Sequence, residues 1–367
     1  MSATAISSTV AQTNGKIAPL FLRKREPENL ESSFSALDGF ITPTEQFYVR
    51  SHFPVPNLDT STWSLSVEGA VIQPLQFTYE ELRRLPAYEA PATLECAGNS
   101  RAFLVPAVNG VQWEAGAVGT AQWRGVRLSD LLAQAGLSPR AVEVIFEGAD
   151  QGEAEENPKP FGPIHYAYSL PVSRALDDNV LLAYEMNGVS LSPAHGFPVR
   201  LMVPGYYGMA SVKWLTRIIV TETPFAGYYP TIDYARWDEQ HGLPVRVPLS
   251  EMSVKSLIAR PVRHEAIMAG ANYRVYGAAW TGDSDIARVE LSTDDGRHWK
   301  PAKLIGPSHR NAWRLWEWTW HAPSEPGRYT LLSRATDQRG HVQPERHDPR
   351  NGTYLIHHIL PVEVEVR

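Results

Sequence analysis

The sequence contains one cysteine, Cys96, in the run Thr93-Leu94-Glu95-Cys96-Ala97-Gly98-Asn99-Ser100-Arg101. Gly98 and Asn99 are residues that let a chain turn, and Arg101 could supply the positive field that keeps a thiolate ionised. The residues leave two chemistries open. One is a nucleophilic cysteine, which wants a histidine partner, and His165 and His195 are available. The other is a thiolate metal ligand, for which a single protein donor suffices only where a cofactor provides the rest. The bland alternative is a small buried hydrophobe. A lone cysteine excludes an intrachain disulfide, a zinc site built on several thiolates and a C-x-x-C-H run for covalent haem attachment.

The elements that must position this turn fall into two blocks, which predicts an α+β class. From about residue 40 to 225 short strand-like runs, Ser64–Val67 and Val142–Phe146 among them, alternate with short helices. The spacing predicts a helix over Leu128–Ala135, closed by Gly136, and another over Tyr79–Leu85, stopped by Pro86. A doubly wound sheet is not expected, because a regular strand–helix alternation with a Gly-rich first turn is missing. After about residue 250 the pattern becomes all-β: Tyr273–Ala279, Ile286–Ser292, Trp313–Trp320 and Tyr329–Thr336 alternate and are punctuated by turn residues. Such spacing suggests an immunoglobulin-like sandwich. Trp316, Trp318 and Trp320 share one face of a strand and are read as packing rather than a base-stacking platform. We place a flexible N-terminal arm at residues 1–20, a catalytic domain at 21–240 and the sandwich at 241–367.

Composition narrows the partners. The 367 residues carry a formal net charge of −6, which argues against nucleic acid as the main partner. No stretch approaches the ~20 apolar residues that cross a bilayer. Arg23-Lys24-Arg25 is basic, but no hydrophobic run follows it. The expected compartment is the cytoplasm, or the periplasm if a twin-arginine signal has been removed upstream.

Five windows in register then carry a resemblance. Leu94-Glu95-Cys96-Ala97-Gly98-Asn99-x-Arg101 resembles the molybdenum-ligand motif of the sulfite oxidase family, in which one cysteine sulfur joins a pyranopterin dithiolene and oxo groups on molybdenum. Phe47-Tyr48-Val49-Arg50-Ser51-His52-Phe53-Pro54-Val55-Pro56 is similar to the family's F-x-x-R-N-H-x-P-x-P stretch. Leu182–Gly188, the run His195–Gly205 and Ser211-Val212-Lys213-Trp214-Leu215 follow in order. Ile286–Ser292 and Arg334–Asp337 resemble the family's dimerisation domain.

The resemblance implies a role for each matched residue. Cys96 would be the only protein ligand to molybdenum, a soft thiolate suited to a high-valent metal. Arg200, Ser211, Val212 (through its backbone) and Lys213 would bind the pterin phosphate. Tyr48, Val49, Arg50, Ser51, His52, Asp150 and His195 would line the pterin. Arg50 and Arg101 match pocket arginines that hold the oxyanion, and Arg350 lies where sulfite-oxidising members carry a third. Trp113 would wall the pocket, and Asp233-Tyr234 resembles a pair whose tyrosine reaches the metal oxo group or the substrate. Ser51 stands where Asn is usual, Ser100 where a second Arg is common and Ala194 where many members have Asp. These departures touch the rim of the pocket more than the metal.

The resemblance therefore implies a haem-free, molybdopterin-binding fold followed by a dimerising sandwich. The implied activity is oxidation of sulfite to sulfate by oxo transfer, with electrons passed to oxygen or a separate acceptor such as a cytochrome. Two alternatives remain: a related molybdenum enzyme reducing nitrate or an S- or N-oxide, and a non-catalytic sandwich-bearing scaffold.

Overall fold

The computed structural model describes residues 19–282 and 284–367. All but the last two residues of the expected N-terminal arm lie outside them.

The helix over Leu128–Ala135 forms as its spacing predicts. Leu128, Leu131, Leu132 and Ala135 lie buried along it, and Gly136, at φ 67°, ends it. Tyr79–Arg84 begins at a capping box in which Thr78 and Glu81 satisfy each other's backbone donors. Helices are otherwise few, and strands do most of the positioning.

Two five-stranded sheets build the first block. One runs Val189–Ser190, Leu181–Met186, Val118–Arg127, Tyr88–Glu95, with Arg200–Met202 also paired to Leu181–Met186. It delivers both Cys96, at the end of Tyr88–Glu95, and Arg200. The second orders Leu75–Thr78, Ser64–Gly69, Leu215–Thr221, Glu143–Gly152 and Ile164–Pro171. Its one parallel pairing joins Leu215–Thr221 to Ser64–Gly69, so the sheet is mixed. The ladder between Glu143–Gly152 and Ile164–Pro171 shifts register after Glu147, while the strand's alternation carries on and leaves Asp150 buried in phase with Val144, Phe146 and Gly148.

The C-terminal block is two facing sheets. Lys255–Arg260, Asn272–Trp280, Arg314–His321 and Lys303–Ile305 form one; Ala266–Ile267, Val362–Val366, Gly327–Asp337, Ile286–Ser292 and Lys300–Pro301 form the other. Val275, Val289, Trp316, Trp320, Leu331 and Val364 fill the space between them, which gives the expected sandwich. Trp318 packs against the same cluster, so the tryptophan stripe is core. A hairpin, Ala235–Gln240 with Leu243–Pro248, stands between the blocks.

The blocks meet through a buried ion pair. Lys255, fully buried on its strand, donates to Glu95 Oε1 at 2.8 Å, and the Trp280 indole N–H donates to Glu95 Oε2 at 2.8 Å. The residue before Cys96 is thus held from the C-terminal block.

Candidate active site

Cys96 sits in a turn fixed on every side by hydrogen bonds. Its N–H donates to Ala117 O (2.9 Å), and its carbonyl accepts from Asn99 N (2.8 Å). Asn99 reaches both ways, donating to Glu95 Oε1 (3.0 Å) and accepting from Ala117 N (3.1 Å). Lys255 also donates to Ser100 Oγ (3.1 Å), and Ser100 takes a left-handed backbone at φ 79°. The turn folds Arg101 back over itself. A Cβ at Gly98 would meet the Arg101 guanidinium at 2.4 Å, so any other residue there would push that guanidinium aside.

Arg101 donates to the carbonyls of Thr353 (2.9 Å) and Val111 (2.9 Å) and lies 4.9 Å above the Tyr354 ring. Arg50 donates to Asn29 Oδ1 (3.3 Å) and to Ser51 O. Neither arginine has a carboxylate partner among the described residues, although both are held away from bulk water. Burial pushes the Cys96 thiol up, with Arg50 and Arg101 pulling the other way. The Asp233 carboxylate, not in direct contact, pulls on both of them, and two buried cations facing one such charge favour a further anion at the thiol.

Tyr234 closes the same space. It follows the turn Tyr229–Asp233, and its hydroxyl is 2.7 Å from His52 Nε2. Burial, then Arg50 and Lys213, push His52 far below the usual histidine range, so its imidazole is neutral. Burial holds the Tyr234 hydroxyl protonated, well above the usual tyrosine range. The Tyr354 ring packs tilted against Tyr234 at 5.0 Å, and its hydroxyl donates to Asp233 Oδ1 at 2.5 Å.

An inner cavity continues from Cys96 past Tyr48, Val49, Arg50, Ser51 and His52 to Asp150, His195, Arg200, Ser211 and Lys213. Arg200 donates to the carbonyls of His195 (3.0 Å) and Ser211 (3.1 Å). Its Nε, fully buried, has no partner. Lys213 Nζ donates to Ser51 Oγ and Ala194 O, each at 2.9 Å. Burial lowers Arg200 to about 10 and pushes Lys213 well down, where Arg200 adds to the effect. Burial, then Lys213 and Arg200, take His195 to about 3. Asp150 is raised by burial to about 6 despite Lys213, and its Oδ1 is buried without a partner.

Three predicted residues stand differently. Val212 is in the core beside the cavity, its carbonyl accepting from Leu201 N (2.8 Å). Trp113, fully buried, packs edge-on to Tyr48 at 6.4 Å and lines neither the inner cavity nor the outer cleft. Arg350 lines the outer cleft but is exposed, with its guanidinium committed to Asp348 at 2.6 Å. That ion pair leaves Arg350 without the spare charge that Arg50 and Arg101 have.

Sequence reading missed an N-terminal strap. Asn29, fully buried, accepts from Ser51 N (3.0 Å) and Arg50, and donates to Pro27 O (2.8 Å). Glu31 accepts from Gly116 N (2.7 Å) and Glu114 N (3.2 Å), which ties down the loop bearing Trp113. No local motif marks these two residues; the one available signal is the alternation in Asn29-Leu30-Glu31, whose outer members are buried.

The fold and this cation-rich, thiol-bearing cavity define a molybdopterin-binding oxidoreductase. Residues 52–229 match the family described as oxidoreductase molybdopterin binding domain, and residues 246–354 match the Mo-co oxidoreductase dimerisation domain. Sulfite oxidase of Gallus gallus is 38% identical over 351 residues, covering 89% of this chain and 73% of that protein. Mitochondrial sulfite oxidase of Mus musculus is 37% identical over 348 residues, and the chain spans 61% of its length. The solved sulfane dehydrogenase SoxCD of Paracoccus pantotrophus superposes with a TM-score of 0.81 at 26% identity, covering 100% of this chain and 96% of that one. The chain belongs to the sulfite oxidase family.

The inner cavity's donors fit the group this family's domain is named for. An orphaned guanidinium N–H on Arg200 and a lysine whose own bonds are to a hydroxyl and a carbonyl are donors of the kind a phosphate-bearing anion needs.

Proposed function

We propose that this protein oxidises sulfite to sulfate at molybdenum held by the Cys96 thiolate. The supporting observation is the convergence of Cys96, Arg50, Arg101 and Tyr234 on one space, with both arginines free of direct carboxylate contacts. When bound, the molybdenum cofactor supplies an electrophilic oxo group and accepts two electrons. The chain's part is positioning and charge neutralisation. Arg50 and Arg101 draw in and orient the oxyanion, and the charge they bring offsets the cost of stripping its water. The Tyr234 hydroxyl, set by His52, is a fixed hydrogen-bond donor or acceptor at the reacting end. Arg200, Lys213 and Ser211 would hold the cofactor's phosphate, with Tyr48, Val49, Ser51, His52, Asp150 and His195 along the pterin and the Val212 backbone beside them. Arg350 screens the mouth of the cleft, and Trp113 buttresses Tyr48.

Electrons would leave to oxygen or a separate acceptor such as a cytochrome. The C-terminal sandwich would pair two copies into a homodimer; the expected division at 240/241 falls in the turn of the hairpin Ala235–Gln240 with Leu243–Pro248, which therefore bridges the two domains. No described helix is long and apolar enough to cross a membrane.

The test is turnover with sulfite and ferricyanide, set against nitrate reduction with a reduced viologen. Sulfite-dependent ferricyanide reduction without nitrate reduction is expected. Nitrate reduction alone would favour the related oxo-transfer reading; neither activity in molybdenum-loaded protein would leave the scaffold reading.

A further inference from the structure

The outer cleft is larger than sulfite requires. It encloses about 660 Å³ and opens directly on the reacting end, since Arg50, His52, Cys96 and Tyr234 line it as well as the inner cavity. Pockets of roughly 300–1,000 Å³ are the size that encloses organic ligands, whereas sulfite has four heavy atoms.

The chemistry of the cleft changes from its floor to its wall. Arg50 and Arg101, on the floor, are uncommitted to any carboxylate. On the wall, Arg236 and Arg350 are neutralised by Asp238 and Asp348, at 2.7 and 2.6 Å. The hairpin of the wall also carries Trp237, 52% exposed and lining the cleft. Arg246 lies 5.3 Å from the Trp237 ring centre and donates to the carbonyls of Ile232 (2.7 Å) and Ala235 (3.2 Å). Those bonds tie the hairpin to the segment that bears Asp233 and Tyr234. The aromatic surface is therefore held beside the anion site, with Arg246 over its ring and about half of the side chain left exposed along the cleft.

We propose that this cleft takes organic sulfinates, R–SO₂⁻, with the charged head at Arg50 and Arg101 and the carbon tail against Trp237. The inference rests on the proposed sulfite-oxidising reading and deepens it. A sulfinate shares with sulfite the sulfur lone pair on which oxygen is accepted. The balanced conversion is R–SO₂⁻ + H₂O → R–SO₃⁻ + 2 H⁺ + 2 e⁻. One S–O bond forms with the water oxygen, two O–H bonds break, sulfur is oxidised and two ferricyanide ions are reduced. The carbon–sulfur bond stays intact. Sulfite uses only the floor of the cleft, and the sulfonate product, whose sulfur has no lone pair left to oxidise, is an inert probe of the whole of it.

The decisive experiment is calorimetric titration of the purified holoenzyme with benzenesulfonate and, separately, with sulfate. An aromatic contact of this kind changes binding by up to roughly tenfold, so benzenesulfonate is expected to bind up to that much more tightly than sulfate. Trp237→Ala should cut that advantage to about threefold or less, and Trp237→Phe should retain most of it. The ratio of kcat/KM for benzenesulfinate to that for sulfite should fall by a similar factor in Trp237→Ala. Equal binding of the two anions, or an advantage that survives Trp237→Ala, would overturn the tail site. Sulfite turnover is measured on the same preparation: its absence beside an intact calorimetric preference would overturn the proposed function and leave the tail site standing.

Discussion

Lys255→Met tests whether the C-terminal block holds the Cys96 turn. Lys255 and Glu95 are 0% and 1% exposed and 2.8 Å apart. Removing one partner of a buried pair leaves an uncompensated charge and typically costs about 3–5 kcal/mol. Glu95 keeps donors from Asn99 and Trp280, which places the expected loss near the lower end, about 3 kcal/mol. A domain is stable by only ~5–15 kcal/mol, so the loss is a large fraction of the whole. With a urea slope of roughly 2–3 kcal/mol per molar, the unfolding midpoint should fall by about 1 M. The double variant Glu95→Gln/Lys255→Met removes the stranded charge while keeping an acceptor for Trp280, and should recover more than half of the loss. A midpoint within about 0.3 M of wild type, or a double variant no more stable than Lys255→Met, would refute the reasoning.

Three further predictions follow from the site. Asn29→Ala leaves the Arg50 guanidinium and Ser51 N–H without their buried acceptor, at a cost of about 1–3 kcal/mol; sulfite KM should rise roughly tenfold while kcat changes less, as steady-state kinetics will show. Tyr234→Phe removes the hydroxyl bonded to His52 and should lower kcat by about 10–100-fold with unchanged molybdenum content, measured by plasma mass spectrometry. His195 is pushed down to about 3 in the fold from an unfolded value near 6.5, so the unfolded state binds more protons and stability is lost as pH falls below about 6.5. In cofactor-free protein the loss attributable to His195 at pH 5 is about 2 kcal/mol. Asp150, raised to about 6, acts with the opposite sign over part of this range, so urea titrations of wild type and His195→Gln at pH 7 and 5 must be compared as a difference; an equal pH effect in both would contradict the assignment.

What the sequence disclosed depended on how local the signal was. Leu128–Ala135 and Ile286–Ser292 were legible because period and punctuation act over a few residues. The tryptophan stripe was legible because alternation puts Trp316 and Trp320 on one face. Cys96 was conspicuous as the one thiol, but its residue spacing alone left nucleophile and ligand open, and resemblance to a family separated them. Asn29, Glu31, Lys255 and Tyr354 were illegible for the opposite reason. Each acts across a large sequence separation: Lys255 on Glu95 160 residues away, and Tyr354 on Asp233 121 residues away. Such pairs are created by how the sheets and blocks pack. Arg350 shows the converse, since a residue whose position matched the family's pocket arginine finds a carboxylate two residues away, Asp348, and pairs with it.

The central claim is that Cys96 is the protein ligand to molybdenum in a sulfite-oxidising site, and molybdenum X-ray absorption on the purified protein addresses it most directly. Wild-type protein should show three sulfur neighbours, two from the dithiolene and one from Cys96, and Cys96→Ser should show two, with sulfite turnover lost. The same sulfur count in both proteins, or full turnover in Cys96→Ser, would contradict the account.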